Sequence, residues 1–400
     1  MAAVFAGRAG ADVVVVETNT TAGRKLLRTG RGRCNVTHAG DVREVLPAYD
    51  RFGRFLKHAL YSFTPEDMIA FLAAGQLKCR VEADGLVFPD TDRATDVKNV
   101  LLAEAKKGSV RLLYGKRASR IVKVADAFAV EVGEDSIRAA AVIVATGGKS
   151  WPQTGSTGDG YKLAAALGHT VVLPKAAAVG LIAREGWLRK LQGVAVSDVR
   201  ISCSIEGEKE AAARGPMMFT GKGLGGPAVF DLSRFVTDAL AGGAGPLAAA
   251  IDLVPSMNQQ ALQKYFVDLA ASHPKKEVST VVCQLLPRAL AMCILQLAAI
   301  DPEIWMGQLS KAKRGALLAM LKALPVTICS TCPIEEATVT RGGISREEID
   351  PKTMQSKIVH GLFFAGEVID VDGPCGGYNL QIAWSTGALA GTNAALAAAT

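Results

Sequence analysis

Residues 361–381 read GLFFAGEVIDVDGPCGGYNLQ and carry most of the fold prediction. The apolar start of this segment, Gly361 to Ala365, predicts a short buried strand bounded by glycine. The strand would deliver Gly366 and Glu367 at its carboxyl end, which is the edge where α/β sheets bind ligands. A glycine-rich turn follows, and a helix is predicted from Tyr378 onward. The first N–H groups of that helix would point toward the same edge and attract an electron-rich oxygen.

The N-terminal residues predict a strand that complements this segment. Met1 to Gly10 is Ala-rich and predicts a helix that ends at Gly10. Residues 11–17, ADVVVVE, contain four consecutive valines, which predict a strand buried on both faces of a parallel sheet. The strand ends in Glu17, and an acid there suits the ribose hydroxyls of an adenine nucleotide. A core strand that ends in an acid without a functional reason is the alternative.

The next segment, residues 23–37, is glycine-rich and basic, with the sequence GRKLLRTGRGRCNVT. Such a loop can bring the backbone close to a phosphate while Arg and Lys neutralise the charge. A nucleic-acid patch or a solvated basic loop is the alternative interpretation. The position directly after Glu17 favours phosphate binding.

Residues 23–37 and 361–381 together resemble a family of bacterial flavoproteins, the HI0933-like, aminoacetone oxidase or BaiN-type FAD-dependent oxidoreductases. Three further segments match this family in the expected order: VIVATGG at 142–148, TGSTGDGY at 154–161 and VTRGGI at 339–344. The resemblance implies an α/β fold with a Rossmann-like FAD-binding domain of the glutathione-reductase type. It also implies an inserted β-barrel-like subdomain and a nested helical subdomain.

The residue pattern and the resemblance divide the chain into three regions. The predicted regions are an FAD-binding domain at 1–174 and 340–400, a β-rich subdomain at 175–255 and 325–339, and a helical subdomain at 256–324. Alternating stretches at Val194–Ile205 and Met217–Phe230 indicate a small barrel or sandwich. Apolar residues that recur every three or four positions between 257 and 324 indicate helices. A single strand is predicted from Ile137 to Ala145.

The resemblance also implies which residues hold FAD. Glu17 would bind the adenosine ribose, Glu367 would lie near the ribityl chain and pyrophosphate, and residues 376–381 would lie at the pyrimidine side of the flavin ring. The implied cofactor residues are Glu17, Arg24, Lys25, Gly30, Arg31, Gly32, Arg33, Cys34, Asn35, Ala118, Ala145, Thr146, Gly147, Gly148, Gly366, Glu367, Gly376, Gly377, Tyr378, Asn379, Leu380 and Gln381. His38 is the one histidine expected near the flavin. No catalytic residue and no metal ligand set is predicted.

One part of the family pattern does not occur in the sequence. A dinucleotide fingerprint places a strand, a Gly-x-Gly-x-x-Gly loop and a helix before the acid of the second strand. Glu17 is too close to Met1 to leave room for all three, so the first strand and the loop are expected before Met1 or are absent. Because the rest of the site is intact, we favour a start codon set too far downstream, or a truncated gene, over a chain with impaired FAD binding.

Composition limits the remaining classes of protein. The 400 residues, 49% hydrophobic and 21% charged, fit an ordinary globular protein of two or three domains. The net charge of +7 does not by itself indicate nucleic acid, and no apolar run reaches the roughly 18 residues of a membrane span. Eight cysteines without a framework spacing favour a reducing cytoplasm. The pair Cys329 and Cys332 is more readily structural than a redox dithiol or half of a zinc site.

The expected function is that of an FAD-dependent oxidoreductase that passes a hydride through flavin N5. The expected reductant is NAD(P)H, which would bind transiently because no second Gly-x-Gly-x-x-Gly occurs, and the expected substrate is a small amine or conjugated enone. A nucleic-acid-associated flavoprotein is one alternative, although the basic loop lacks the interleaved aromatic residues of single-strand binders. A truncated form without cofactor binding is the other. The sequence leaves the substrate, the electron acceptor and the oligomeric state open.

Overall fold

The structure, a computed structural model, describes residues 1–204 and 211–399, which form two compact units. Unit 1 contains Met1–Lys175 and the described residues from Thr338 onward, and unit 2 contains the described part of Ala176–Ala337. Among the described residues, no helix combines the length and the apolar character needed to cross a membrane.

Both units contain helices and strands. The helices are α1 (Ala2–Arg8), α2 (Val42–Val45), α3 (Gly53–Ser62), α4 (Pro65–Ala74), α5 (Ala94–Lys107), α6 (Asp159–Ala165), α7 (Pro227–Ala241), α8 (Gln259–Ser272), α9 (Val278–Val282), α10 (Arg288–Leu297), α11 (Lys311–Lys322) and α12 (Tyr378–Ala399). The strands are β1 (Val13–Glu17), β2 (Thr37–His38), β3 (Cys79–Val81), β4 (Leu86–Pro89), β5 (Val110–Tyr114), β6 (Ala118–Val124), β7 (Ala127–Val132), β8 (Asp135–Ala139), β9 (Val142–Val144), β10 (Val171–Ala177), β11 (Leu181–Ala183), β12 (Ala195–Ser204), β13 (Ala211–Phe219), β14 (Gly223–Gly225), β15 (Leu247–Asp252), β16 (Leu324–Thr331), β17 (Val339–Ile344) and β18 (Leu362–Phe364). Ile205, the end of one predicted strand, lies outside the described residues.

Unit 1 contains two separate pairs of parallel strands, β1 with β5 and β9 with β18. Every residue of β1 is only half-buried, so the prediction of a strand buried on both faces is wrong. Among the described strands, β1 has a hydrogen-bonded neighbour, β5, on one edge only. A strand at an edge leaves part of its valine surface uncovered, whereas a central parallel strand is covered on both sides.

The predicted strand from Ile137 to Ala145 is two strands in different sheets. β8 ends at Ala139 and pairs antiparallel with β7, whereas β9 begins at Val142 and pairs parallel with β18. The apolar residues run through the change of sheet without a gap. Periodicity alone therefore could not locate the boundary.

Helix α12 begins at Tyr378, as the sequence predicted, and it lies in the core of unit 1. Helix α1 packs against it so closely that a Cβ on Gly391 would lie 2.2 Å from the Ala2 carbonyl oxygen. On the same helix, Trp384 and Ala388 join Val4 in one hydrophobic cluster. This packing fixes the N-terminus of α12 relative to the strands.

Unit 2 contains a closed six-stranded antiparallel barrel in the order β11-β14-β13-β12-β15-β16, which confirms the predicted barrel. Helices α8 to α11 lie between β15 and β16 in the chain. The alternating stretch predicted for Met217–Phe230 contains the end of β13, as far as Phe219, and the short strand β14, and it ends in helix because α7 begins at Pro227. Proline at the first helical position favours a helix start, and Val229 and Leu232 become buried on one helix face.

Candidate cofactor site

Glu17 lies at the carboxyl end of β1 with its carboxylate held on one side. The backbone N–H and the side-chain Nδ2 of Asn19 both donate to Glu17 Oε1 at 2.8 Å. Asn19 Nδ2 also donates to the Thr154 carbonyl oxygen at 3.0 Å. Within the described part of the chain, Glu17 Oε2 accepts no hydrogen bond. The carboxylate is therefore oriented with one oxygen open, as the acceptor of a ribose hydroxyl must be.

Glu367, just after β18, is the point where the predicted motifs meet. Its Oε1 accepts from the Thr340 N–H at 2.7 Å and from Ser150 Oγ at 3.1 Å. Its Oε2 accepts from the Gly148 N–H at 3.3 Å and forms an ion pair with Lys25. Residues from three distant segments thus converge on one carboxylate, which is fixed by hydrogen bonds to charged and neutral donors.

The backbone around this carboxylate is a close-fitting cradle. A Cβ on Gly148 would lie 2.4 Å from Thr340 Oγ1, so only glycine fits there. The same Thr340 hydroxyl oxygen accepts from the N–H groups of Lys149 and Ser150, each at 2.9 Å. Thr340 therefore fixes the loop that follows β9.

The other cations of the basic loop also have partners within unit 1, with one exception. Arg24 donates to Asn19 Oδ1 at 2.9 Å, and Arg28 lies over the Trp151 ring at 5.4 Å. Arg33 pairs with Glu82 at 3.0 Å and lies over the Phe88 ring. Arg31 is exposed and has no ion-pair or hydrogen-bond partner in the described part of the chain. The loop is thus tied mainly to its own unit and does not present five open charges.

The glycine turn before α12 has an unusual backbone that the sequence supports. Gly376 and Gly377 have φ values of 111° and 94°, in the region that favours glycine. A Cβ on Gly377 would lie 2.3 Å from the Thr37 carbonyl carbon, so β2 packs directly on the turn. His38, also on β2, stacks on the Tyr378 ring with centroids 4.6 Å apart. His38 was expected near the flavin and lies beside the turn that the family resemblance assigns to the flavin ring.

Three implied cofactor residues direct their side chains into the protein core. Cys34 is fully buried, and burial raises the pKa of its thiol to about 12. Gln381 is buried and hydrogen-bonds Thr37, Phe63 and Ser385 through its side chain. Leu380 packs against the cluster around Trp384. At Cys34 and Gln381 only the backbone can face a ligand, whereas Leu380 is only partly buried.

The remaining implied residues lie next to these contacts or on neighbouring turns. Ala118 begins β6, just after the turn in which the Gly115 N–H donates to Asn19 O and the Lys116 N–H donates to Glu17 O. Thr146 and Gly147 precede Gly148, and a Cβ on Gly160 would lie 2.1 Å from Thr146 Oγ1. Asn379 binds the preceding loop through Gly373 and Pro374. Asn35 Oδ1 accepts from the Val87 N–H at 3.3 Å, and the Gly366 N–H donates to Thr386 Oγ1 at 2.9 Å. The last three implied residues, Gly30, Gly32 and Ala145, lie in the loops that carry the residues above.

Sequence reasoning missed the residues that orient the two carboxylates. Asn19 orients Glu17, and Ser150 and Thr340 orient Glu367. Thr340 lies inside the VTRGGI segment and Ser150 lies two residues after the VIVATGG segment, so both were within reach of a motif. Asn19 had only its distance of two residues from Glu17 as a signal, a spacing typical of a side chain that caps a turn.

Other metal or redox chemistry finds no support in the described residues. They contain no group of three or more His, Cys, Asp or Glu side chains that could hold a metal ion. All eight cysteines are free. Cys329 is exposed on β16, and Cys332 lies beyond the end of that strand, three residues on.

The chain matches the family model described as the HI0933-like protein Rossmann domain over residues 1–393. The chain belongs to the HI0933-like family. It is 30% identical over 397 residues to a 3-dehydro-bile acid delta(4,6)-reductase of Clostridium scindens, which covers 99% of this chain and 96% of that protein. It is 31% identical over 385 residues to a ribosomal RNA dihydrouridine synthase of Escherichia coli, which covers 96% of this chain and 92% of that protein.

Among solved structures, this chain resembles the Escherichia coli quinol fumarate reductase FrdA, with a TM-score of 0.50 and 15% identity, over all of this chain and 69% of that chain. This likeness shows the fold alone. Family membership confirms the predicted Rossmann FAD-binding fold and the class of FAD-dependent oxidoreductase. The nicotinamide reductant, the substrate and the individual cofactor residues stay predictions.

The donors and acceptors of unit 1 fit an FAD molecule at two places. Glu17 offers an oriented oxygen for a ribose, and the first N–H groups of α12 lack acceptors within the helix itself. The backbone at Gly148 and at Gly377 is packed so closely that a Cβ atom would not fit at either position. The site therefore has the chemistry of a dinucleotide site, with an acid at one end and N–H donors at the other.

Proposed function

We propose that this protein uses FAD to reduce a carbon–carbon double bond that is conjugated to a carbonyl group. The observation that carries the proposal is the shared chemistry of two relatives of nearly equal identity. A delta(4,6)-reductase of a 3-dehydro bile acid and a dihydrouridine synthase both have names that denote saturation of C=C bonds. In a 3-oxo steroid and in uracil alike, that bond is conjugated to a carbonyl. The bond type is common to both, although the molecules differ greatly.

Bound FAD would supply hydride transfer at N5, and the protein would bind and orient the cofactor. In this proposal Glu17 accepts from the adenosine ribose, with Asn19 fixing its orientation. Glu367 holds the loops of Gly148 and Thr340 beside the ribityl chain, while Lys25 balances its charge close to the phosphates. The turn at Gly376 and Gly377 and the start of α12 donate N–H groups to the negative charge that grows on reduction.

The proposed net reaction consumes one NAD(P)H, one proton and one enone and yields NAD(P)⁺ and the saturated ketone. A hydride adds to the carbon β to the carbonyl, and a proton adds to the α carbon. The two electrons therefore pass from nicotinamide to substrate, and no further oxidant is needed. An amine substrate would send electrons in the opposite direction, from substrate to flavin.

We favour a small-molecule enone over a uridine in RNA as the substrate. Four of the five cations of residues 23–37 contact partners within unit 1, so this loop is not an open phosphate-binding surface. The 31% identity to the E. coli ribosomal RNA dihydrouridine synthase favours the second candidate, reduction of a uridine in ribosomal RNA.

The test follows the flavin band of the purified FAD-loaded protein without oxygen. NADPH should bleach the flavin band, and a 3-oxo-Δ4 steroid should then restore it. The steroid itself should gain two mass units as its double bond is reduced. The saturated 3-oxo steroid is the matched control and should restore nothing. Recovery with ribosomal RNA but not with enones would establish the second candidate. Bleaching by an amine, with no recovery by any conjugated double bond, would contradict both.

A further inference from the structure

Three consecutive residues, 36–38, hold the glycine turn and the first two turns of α12. The contacts are Trp384 Nε1 to the Val36 carbonyl oxygen at 2.8 Å, Thr37 Oγ1 to Gln381 Oε1 at 2.7 Å, and His38 Nδ1 to the Gly376 carbonyl oxygen at 3.3 Å. The first two contacts hold the helix itself. The third contact holds the peptide just before α12, and the proposed function does not account for this contact.

The His38 ring is held in place on several sides. Its face stacks on Tyr378 at 4.6 Å, with ring planes inclined by 20°. A Cβ on Gly85 would lie 2.6 Å from His38 Nε2, so the turn between β3 and β4 closes the opposite edge of the ring. The His38 backbone pairs with Leu86 across β2 and β4. The Nδ1 atom is therefore fixed next to the Gly376 oxygen.

The peptide that His38 contacts would otherwise rotate easily. It joins two glycines, both with positive φ, and glycine tolerates positive and negative φ about equally. The two glycines themselves therefore offer little intrinsic resistance to a concerted rotation that turns this peptide over. The peptide is trans, so its carbonyl and its N–H point in opposite directions. Whatever holds the Gly376 oxygen therefore also sets the direction of the Gly377 N–H.

We propose that His38 is a positioning residue for the flavin. Its Nδ1–H donates to the Gly376 carbonyl and keeps the Gly377 N–H on the other side of the peptide, where it acts with the first N–H groups of α12. This assigns the Nδ1–H tautomer to neutral His38. The aligned N–H groups stabilise the negative charge of reduced FAD more than the uncharged oxidised ring. The inference rests on the FAD part of the proposed function and not on the substrate.

The test compares three substitutions at one position. His38→Phe keeps a ring against Tyr378 and removes the donor. His38→Asn places an amide nitrogen as many bonds from Cβ as Nδ1 and can restore the donor. His38→Gln carries its amide nitrogen one bond farther, at the distance of Nε2, and serves as the matched polar control. Thermal midpoints of the three variants report any general loss of folding.

The first readout is the reduction potential of bound FAD. We expect His38→Phe to weaken the binding of reduced FAD about tenfold relative to the binding of oxidised FAD. For a two-electron couple this lowers the reduction potential by about 30 mV. His38→Asn should recover most of the difference and His38→Gln should not. An unchanged potential in His38→Phe would overturn the proposal, and so would an equal change in the Phe and Asn variants.

The second readout needs no cofactor and decides the question even for protein that retains no FAD. Amide hydrogen exchange of the segment 373–380 should be faster in His38→Phe than in the wild type and should return toward the wild-type rate in His38→Asn. Equal rates in all variants would reject the proposal. Failure of the enone test leaves both readouts intact, so the two proposals fail separately.

Discussion

Asn19 fixes the orientation of Glu17, because its backbone N–H and its side-chain Nδ2 both donate to the same carboxylate oxygen. Occupying Oε1 leaves Oε2 for a ligand, and the third contact to Thr154 fixes Asn19 itself. A carboxylate without such a partner would rotate and would have to be ordered when the ligand binds. The pair Glu17 and Asn19 therefore acts as a unit at the end of β1.

Glu17→Gln should weaken FAD binding about tenfold to a hundredfold. The substituted side chain would present an NH₂ group where Oε2 accepts, and a hydrogen bond to a charged group contributes about 1.5–3 kcal/mol. Fluorescence titration of FAD measures the effect. Asp12→Asn, exposed on the same segment, is the control and should bind as the wild type does. Equal affinity of the Gln variant would remove Glu17 from the cofactor site.

His169 should make the stability of unit 1 depend on pH. The ring is buried between Ser356 Oγ at 2.9 Å and the Glu348 carboxylate at 3.2 Å. Burial lowers the pKa of His169, and the nearby Glu348 opposes this only in part. Below the ordinary pKa of about 6.5 the unfolded chain takes up a proton that the folded chain resists. The contribution of His169 to stability is therefore complete above that pH and is lost as the pH falls.

Urea unfolding at pH 8 and at pH 5.5 checks this prediction. The free energy of unfolding should fall more between the two pH values for the wild type than for His169→Gln, which has no titrating ring. The difference between the two proteins isolates His169 from other groups, such as Asp370, whose pKa burial raises. Parallel pH profiles would show that His169 does not control this dependence.

At the scale of elements, β2 and the turn before α12 form one assembly, although more than 300 residues separate them in the chain. β2 contains only Thr37 and His38, and both contact the turn. The short strand is paired on one side with β4, which makes it a rigid support. A two-residue strand has no detectable periodicity, so no sequence pattern could have predicted it.

Gly377→Ala should disrupt this assembly. The new Cβ would lie 2.3 Å from the Thr37 carbonyl carbon at a φ of 94°, and the backbone strain alone costs about 1–3 kcal/mol. We expect a lower thermal midpoint together with loss of FAD retention. Gly315→Ala in α11 is the matched control, because open space surrounds it and alanine favours a helix by up to about 1 kcal/mol. A Gly377→Ala protein as stable as the wild type would contradict the described turn.

At the scale of the whole molecule, each unit has a hydrophobic core of its own. The core of unit 2 includes Phe266, Leu290 and Ile328, and the largest core of unit 1 includes Phe363 and Phe364. The chain enters unit 2 once and leaves it once, at the boundaries near residues 175 and 338. The assignment of these units to a cofactor domain and inserted subdomains is our proposal.

Calorimetry should therefore resolve two unfolding steps. FAD should raise the midpoint of one of them, because a ligand at a hundred times its dissociation constant stabilises the folded state by about 2.7 kcal/mol. Phe266→Ala should lower the other step, since truncation of a buried phenylalanine costs about 3–5 kcal/mol. One transition that responds equally to both changes would show that the units unfold together.

The sequence by itself determined the family, the cofactor class and the sequence-local elements. The glycine turn, the helix from Tyr378 and the strand that ends in Glu17 could all be predicted, because glycine, β-branched and apolar residues act through local sterics and periodicity. The tertiary structure alone decided the convergence of Lys25, Ser150 and Thr340 on Glu367, the support of Gly376 by His38 and the incomplete burial of β1. These depend on which distant segments become neighbours, and the free energy that selects neighbours comes from packing over the whole chain.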